Sequence, residues 1–167
     1  MRYANFLHIF FTFDAMKYIF SILVLFVLSQ KEVMIGKVVR VADGDTITVL
    51  VEGNKNERIR LSDIDAPEHG QDFSEKSRLY LADMVAGKIV RIEYKERDMY
   101  GRILGTVFIN GKNVNEEMVR VGLAWEYKYN KNEKITELQQ EAKEKKLNIW
   151  RDKNPINPYD YRKSNQK

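Results

Sequence analysis

The stretch Arg60-Leu-Ser-Asp-Ile-Asp65-Ala-Pro-Glu68 packs one arginine and three carboxylates into nine residues. Carboxylate oxygens gathered closely are what a hard divalent cation needs, and a neighbouring arginine is what a phosphate needs. The combination points to metal-assisted attack on a phosphodiester. Pro67 lacks an N–H and pushes Ala66 towards extended geometry, which ends a strand ladder and leaves the Ala66 carbonyl free. A free carbonyl beside two carboxylates is a set that calcium or magnesium takes. Strict alternation puts Asp63 and Asp65 on one strand face and Arg60 and Asp65 on opposite faces. Arg60 therefore joins the acids only if the chain twists or bends.

Three further clusters carry chemistry-bearing residues. In Asp43-Gly44-Asp45 the first two residues read as a hairpin turn. Asp45 is surplus to that turn, and a second carboxylate there is costly unless it is solvated, paired or on a cation. Asp98-Met-Tyr-Gly-Arg102 reads as a hairpin loop in which Gly101 permits a sharp reversal and Arg102 points along a sheet edge. In Trp125-Glu-Tyr127-Lys-Tyr129 aromatics alternate with polar residues. That spacing covers a core edge or makes a stacking platform for bases.

These residues must be positioned by a mainly β domain. Val33 to Val41 and Thr46 to Val51 are β-branched runs about an Asp-Gly pair, a hairpin signal. A second turn at 52–56 leads to a third strand over 57–64. Lys88 to Tyr94 and Ile103 to Ile109 read as the fourth and fifth. Asp72 to Ala86 has helical spacing with Gly87 as its stop, and Asn113 to Val121 has a capping-box outline before Gly122. Asn132 to Leu147 is a charged helix buried along Ile135, Leu138 and Ala142. The polar tail from Arg151, with two prolines, is expected to fray. Five strands with a helix between the third and fourth is the layout of an oligonucleotide-binding (OB) barrel, an α+β fold that is mainly β.

Residues 1–30 differ from the rest. Two apolar clusters, Phe6 to Phe13 and Tyr18 to Leu28, flank Asp14, Met16 and Lys17. The second has the length of a signal-peptide core, with Met16-Lys17 as a basic start and Val27-Leu-Ser29 as a cleavage site. Joining both clusters into one membrane anchor buries Asp14 or Lys17 at a cost of about 3 kcal/mol. The expected organisation is a signal peptide or anchor over 1–30, the domain over 31–151 and a polar tail over 152–167. From residue 31 onward 26 basic residues face 23 acidic ones, a mild excess that fits a nucleic-acid partner without requiring one. Cysteine is absent and the histidines are His8 and His69, so disulfides, thiolate metal sites and multi-histidine zinc sites are excluded.

Taken in order, Asp43-Gly-Asp-Thr46, Arg60 with Asp65-Ala-Pro-Glu68, Asp98-x-Tyr-Gly-Arg102, Val114-Asn-Glu, Gly122-Leu-Ala and Lys146-Leu-Asn-Ile-Trp150 resemble the thermonuclease family. Its type member is the staphylococcal (micrococcal) nuclease. The resemblance runs from about Val33 to Trp150 and implies a five-stranded OB-fold barrel with three helices. It further implies a calcium ion held by Asp45, Asp65 and the backbone carbonyl of Ala66. Glu68 falls on the family's general base or water-orienting group, and Arg60 and Arg102 on its two phosphate-binding arginines. Tyr100, Tyr127 and Tyr129 match positions that contact the nucleotide. The implied activity is calcium-dependent hydrolysis of DNA and RNA with little sequence preference, cutting the 5′ P–O bond to leave 3′-phosphate ends.

Two departures stand out. Met99 replaces a lysine of the type member, and the loop after Glu68 is several residues shorter; His69 reads as a side chain of that loop. The alternatives from other classes are a non-catalytic nucleic-acid-binding OB module at the cell surface and a calcium-binding structural domain. Neither gives all of Asp45, Arg60, Asp65, Glu68 and Arg102 a role. The expected protein is a monomer, secreted or held to a membrane through residues 6–28, with its domain outside the cytoplasm.

Overall fold

The computed structural model describes residues 31–165 together with Tyr18, and the targeting segment read over 1–30 lies otherwise outside the described residues. The strands are β1 Glu32–Val41, β2 Thr46–Val51, β3 Lys55–Leu61, β4 Ile64–Asp65, β5 Ile89–Arg97, β6 Ile103–Ile109, β7 Lys112–Asn113 and β8 Trp125–Glu126. The helices are α1 Ser74–Val85, α2 Val114–Arg120, α3 Glu133–Glu144 and α4 Pro158–Ser164. Among the described residues no helix is long and apolar enough to cross a membrane.

The sheet order β3-β2-β1-β5-β6 closes on itself because β3 also pairs with β6, in parallel, Ile59 opposite Ile103 and Leu61 opposite Gly105. A closed ring of five strands is the barrel anticipated from the strand count. Closure needs strands that bend, and register shifts between Val38 and Arg40 and between Tyr94 and Glu96 supply the bends. Alternation sends Val38, Ile47, Val49, Ile59, Leu61, Ile92, Ile103 and Val107 into the interior. Leu81 and Val85 of α1, Met118 and Val119 of α2, and Ile135 and Leu138 of α3 pack against that core.

Helix caps follow the polar residues available. Asn113 accepts from the Glu116 N–H at 3.2 Å, and Asn132 accepts from the Lys134 N–H at 3.1 Å. Buried Asn115 ties α2 to the barrel by accepting from Val107 N–H (3.0 Å) and donating to the carbonyls of Ser62 (2.9 Å) and Gly105 (3.1 Å).

Two expectations need correction. The third strand does not run to Ile64. It ends at Leu61, and Asp63 takes a left-handed backbone at φ 65° before the two-residue strand β4. The tail carries a fourth helix, α4, in place of a frayed end. Asn157 caps it, accepting from the Tyr159 N–H at 2.9 Å, and Pro158 supplies a first turn that needs no N–H.

Candidate active site

The bend at Asp63 resolves the difficulty that alternation posed. With the chain turned there, Asp65 comes back towards Arg60, whose Nη2 donates to Asp65 Oδ1 at 2.8 Å. The same guanidinium reaches Asp45 Oδ2 through Nη1 at 2.9 Å. Asp45 is placed by register: Thr46 lies opposite Arg60, and Leu61 N–H donates to the Asp45 carbonyl at 2.8 Å. One arginine thus draws together two acids twenty residues apart in sequence.

Gly44 makes that placement possible for a reason other than turn conformation. A Cβ there would lie 1.9 Å from Ser77 Oγ and 2.8 Å from the Ala66 Cβ. The hairpin tip therefore presses against α1 and against the 65–66 segment, and only glycine permits the approach. Asp43 does make the turn, its Oδ1 accepting from the Asp45 N–H at 3.0 Å. Ala66 N–H donates to Asp45 Oδ2 at 2.7 Å, locking the two acidic segments together.

Asp45 and Asp65 are almost fully enclosed, 7% and 1% exposed. Burial pushes the Asp45 carboxyl up to about 6, and Asp43 adds to the push, while Arg60 opposes it. Burial thus outweighs the Arg60 guanidinium at this carboxylate. Glu68 lies beyond Pro67 at the rim, its side chain 37% exposed, and its backbone N–H donates to Gln71 Oε1 at 3.0 Å. His69 is exposed in the loop, as expected.

The structure brings together Asp45, Arg60, Asp65, Ala66 and Glu68. Arg102 pairs instead with Asp98: its Nε donates to Asp98 Oδ2 at 2.7 Å and its N–H to Oδ1 at 2.9 Å. Gly101, at φ 76°, makes the reversal that lets this loop fold onto its own acid. Arg102 nevertheless belongs to the same outer face as Arg60. Leu104 is the parallel partner of Arg60, and Arg102 precedes it by two. Tyr100 is 73% exposed, with its ring 5.6 Å from the Arg102 guanidinium carbon.

The aromatic cluster is tied to the acids through backbone. Strand β8 pairs with β4, Trp125 opposite Asp65, and Tyr127 N–H donates to the Asp63 carbonyl at 2.8 Å. Tyr127 and Tyr129 meet edge to face at 5.6 Å and remain exposed. They stand free to stack on a further ring.

One contributor was missed from the sequence. Arg162 of α4 donates through Nη2 to Asp65 Oδ2 at 2.8 Å, through Nη1 to Asp65 Oδ1 at 3.1 Å, and through Nη1 also to Glu68 Oε1. The signal that could have found it is Asn157-Pro158, a cap followed by proline at the first helical position.

Among the described residues no three His, Asp or Glu side chains gather as a metal cluster. The oxygens present still suit a hard cation. Asp45 and Asp65 are buried, both already turn towards a cationic group, and burial raises the Asp45 carboxyl despite Arg60, a cost that a bound cation would offset.

Comparison with known proteins accords with this geometry. Residues 58–152 match the family described as staphylococcal nuclease homologue. An uncharacterized endonuclease of Escherichia coli is 48% identical over 129 residues, 76% of this chain and 84% of its own. Another of Haemophilus influenzae is 43% identical over 128 residues, 76% and 72% of the two chains. A micrococcal nuclease of Shigella flexneri is 40% identical over 143 residues, 78% and 82%. A closed barrel of this topology, one arginine between two buried acids and relatives at these identities lead to one conclusion: the chain belongs to the staphylococcal nuclease family and is a nuclease.

Proposed function

We propose that the protein is a calcium-dependent phosphodiesterase that hydrolyses DNA and RNA with little sequence preference and leaves 3′-phosphate ends. The observation that carries this reading is the convergence of Asp45 and Asp65 on Arg60, with Glu68 beside them at the rim. Asp45, Asp65 and the Ala66 carbonyl would hold the ion. Bound there, calcium supplies a charge sink and a template for the phosphate.

The side chains do the rest. Glu68, partly solvated, orients a water or takes its proton as the water oxygen adds to phosphorus. The 5′ oxygen departs as the P–O bond breaks. Arg60 and Arg102 donate paired hydrogen bonds to the non-bridging oxygens, whose charge grows during that addition. For Arg102 this requires exchanging Asp98 for phosphate. Tyr100, Tyr127 and Tyr129 offer exposed rings to the nucleotide, and none of these contacts distinguishes one base from another.

Extracellular calcium sites bind at about 10⁻⁴–10⁻³ M, so such an enzyme would work outside the cell and idle inside it. That argument, with the apolar clusters between residues 6 and 28, supports export or membrane anchoring. The test is digestion of plasmid and single-stranded DNA and of RNA by the full chain, with calcium and with chelator, followed by end analysis. Calcium-dependent cutting to 3′-phosphate ends is expected. Tight DNA binding without cutting would make the barrel a binding module.

A further inference from the structure

We propose that α4 is an autoinhibitory latch, in which Arg162 occupies the cation seat on Asp65 and Glu68 and must leave before metal and phosphodiester can enter. The inference rests on the proposed reading of that seat as a calcium site.

Arg162 takes up the very oxygens that catalysis needs. Its fork holds both oxygens of Asp65, and Arg60 holds Oδ1 as well, so three N–H donors crowd a carboxylate with about four lone-pair sites. Its Nη1 also engages Glu68 Oε1, the group proposed to handle the water. The same helix reaches the 125–129 segment. Tyr159 lies under the Lys128 ammonium, 4.0 Å from ring centroid to Nζ, and shares with Tyr127, Lys128 and Asp160 a cleft of about 510 Å³. One element thus occupies the cation seat and touches the segment that carries Tyr127 and Tyr129.

That element is built to let go. A seven-residue helix is far too short to be stable alone. It is docked by buried Pro158, by the Gln71 Nε2 bond to the Ile156 carbonyl at 2.5 Å, by the Lys128–Tyr159 contact and by Arg162 itself. The Arg162 side chain is 35% exposed, so its release needs no opening of the core. Segments with so few buried contacts open at the low end of a protein's stability range. A divalent cation that takes Asp65 removes the main anchor. By reciprocity, removing the anchor strengthens the cation's hold.

Full-length wild type, Arg162→Gln and Tyr159→Ala are titrated with calcium alone by calorimetry. Hydrogen exchange of the α4 amides is followed in parallel, in chelator and in calcium. Calcium is expected to bind about tenfold more tightly to R162Q, within the usual range of coupling, and Y159A, which touches neither carboxylate, is expected to shift the same way. Calcium should also speed exchange of the α4 amides in wild type. Unchanged or weaker calcium binding by R162Q would overturn the latch.

A metal-free arm separates this outcome from failure of the calcium site. In chelator, Asp65→Asn is expected to speed α4 exchange at least several-fold. If no chain binds calcium, the calcium reading fails and this arm alone judges the latch. Unchanged α4 exchange in D65N overturns it whatever the metal does.

Discussion

Two charged clusters share strand β3 and differ in their balance. At one end Glu57 is enclosed by two cations, Lys55 Nζ at 2.6 Å and Arg97 Nη1 at 2.9 Å. Hydrogen bonds from Arg97, then Lys55, pull its carboxyl down to about 2. Three residues further on, Arg60 is a single cation between two carboxylates, and burial leaves Asp45 at about 6. The first cluster is satisfied and needs nothing from outside. In the second, a further cation would offset the burial of the acids, and among the described residues Asp65 receives one besides Arg60, namely Arg162, from a detachable helix. A carboxyl raised by burial beside a specific charge partner, in a group of acids, is a functional-site candidate, whereas one held down by two cations is a structural ion pair.

The sharpest way to break this comparison is to neutralise one acid in each cluster. Glu68→Gln is expected to lower the rate of single-stranded DNA cleavage by about 10²–10⁴, the range for losing a positioned proton acceptor. Glu57→Gln should leave the rate within about twofold and act on stability instead. Initial rates in calcium for both variants decide it; equal losses would mean that the two clusters are not functionally distinct.

Next in size is Arg60→Lys. The ammonium keeps the charge but cannot fork between Asp45 and Asp65 or bind phosphate in two places. A loss of about 10²–10³ in kcat is expected, as for one transition-state donor. Arg102→Lys should cost the same despite the Asp98 contact. A much smaller loss there would show that Arg102 stays with Asp98 throughout turnover.

Gly44→Ala tests the packing that aligns the acids. A Cβ 1.9 Å from Ser77 Oγ forces the hairpin tip or α1 to move, at a cost of about 1–3 kcal/mol for overpacking. Denaturant unfolding in chelator measures it. Rescue by Ser77→Ala would be partial, because the Ala66 Cβ also lies 2.8 Å from that position.

The barrel was legible because its evidence is repetitive. Five β-branched runs with turns between them, and three apolar helix faces, each predict an element on their own, and the interior positions follow from alternation. The site residues were legible only as types in order. No pattern could show that Asp63 takes a left-handed turn, since that conformation depends on β4 finding β8 sixty residues downstream. Without that turn, alternation separates Arg60 from Asp65. Gly44 is legible as part of a turn, but the contact with α1 that requires glycine there lies outside any local window. Arg162 was lost for a different reason: a polar seven-residue helix has too little apolar periodicity to register, and its anchor is a charge supplied by another part of the fold.

The smallest effect distinguishes the clusters by sign. Glu57 titrates at about 2 in the fold against 4.5 as its ordinary value, so the unfolded chain binds more protons between them. Its stabilisation is complete above 4.5 and is lost as pH falls towards 2. Asp45 is displaced the other way, from 3.8 to about 6, so its contribution is fully present below 3.8 and is lost as pH rises through 6. Each contribution is on the order of 1 kcal/mol once water around Lys55, Arg97 and the site rim is allowed for. In chelator, stability should therefore rise from pH 2 to 4.5, less steeply in E57Q, and the Asp45 contribution should fall away towards pH 6. Calcium on Asp45 favours its ionised form and should abolish that second slope while leaving the first unchanged. Carboxyl carbon NMR titrations of Asp45 and Glu57, with and without calcium, read the two directly. If calcium moved both carboxyls alike, the ion would be acting as general ionic strength and not as the missing charge of one cluster.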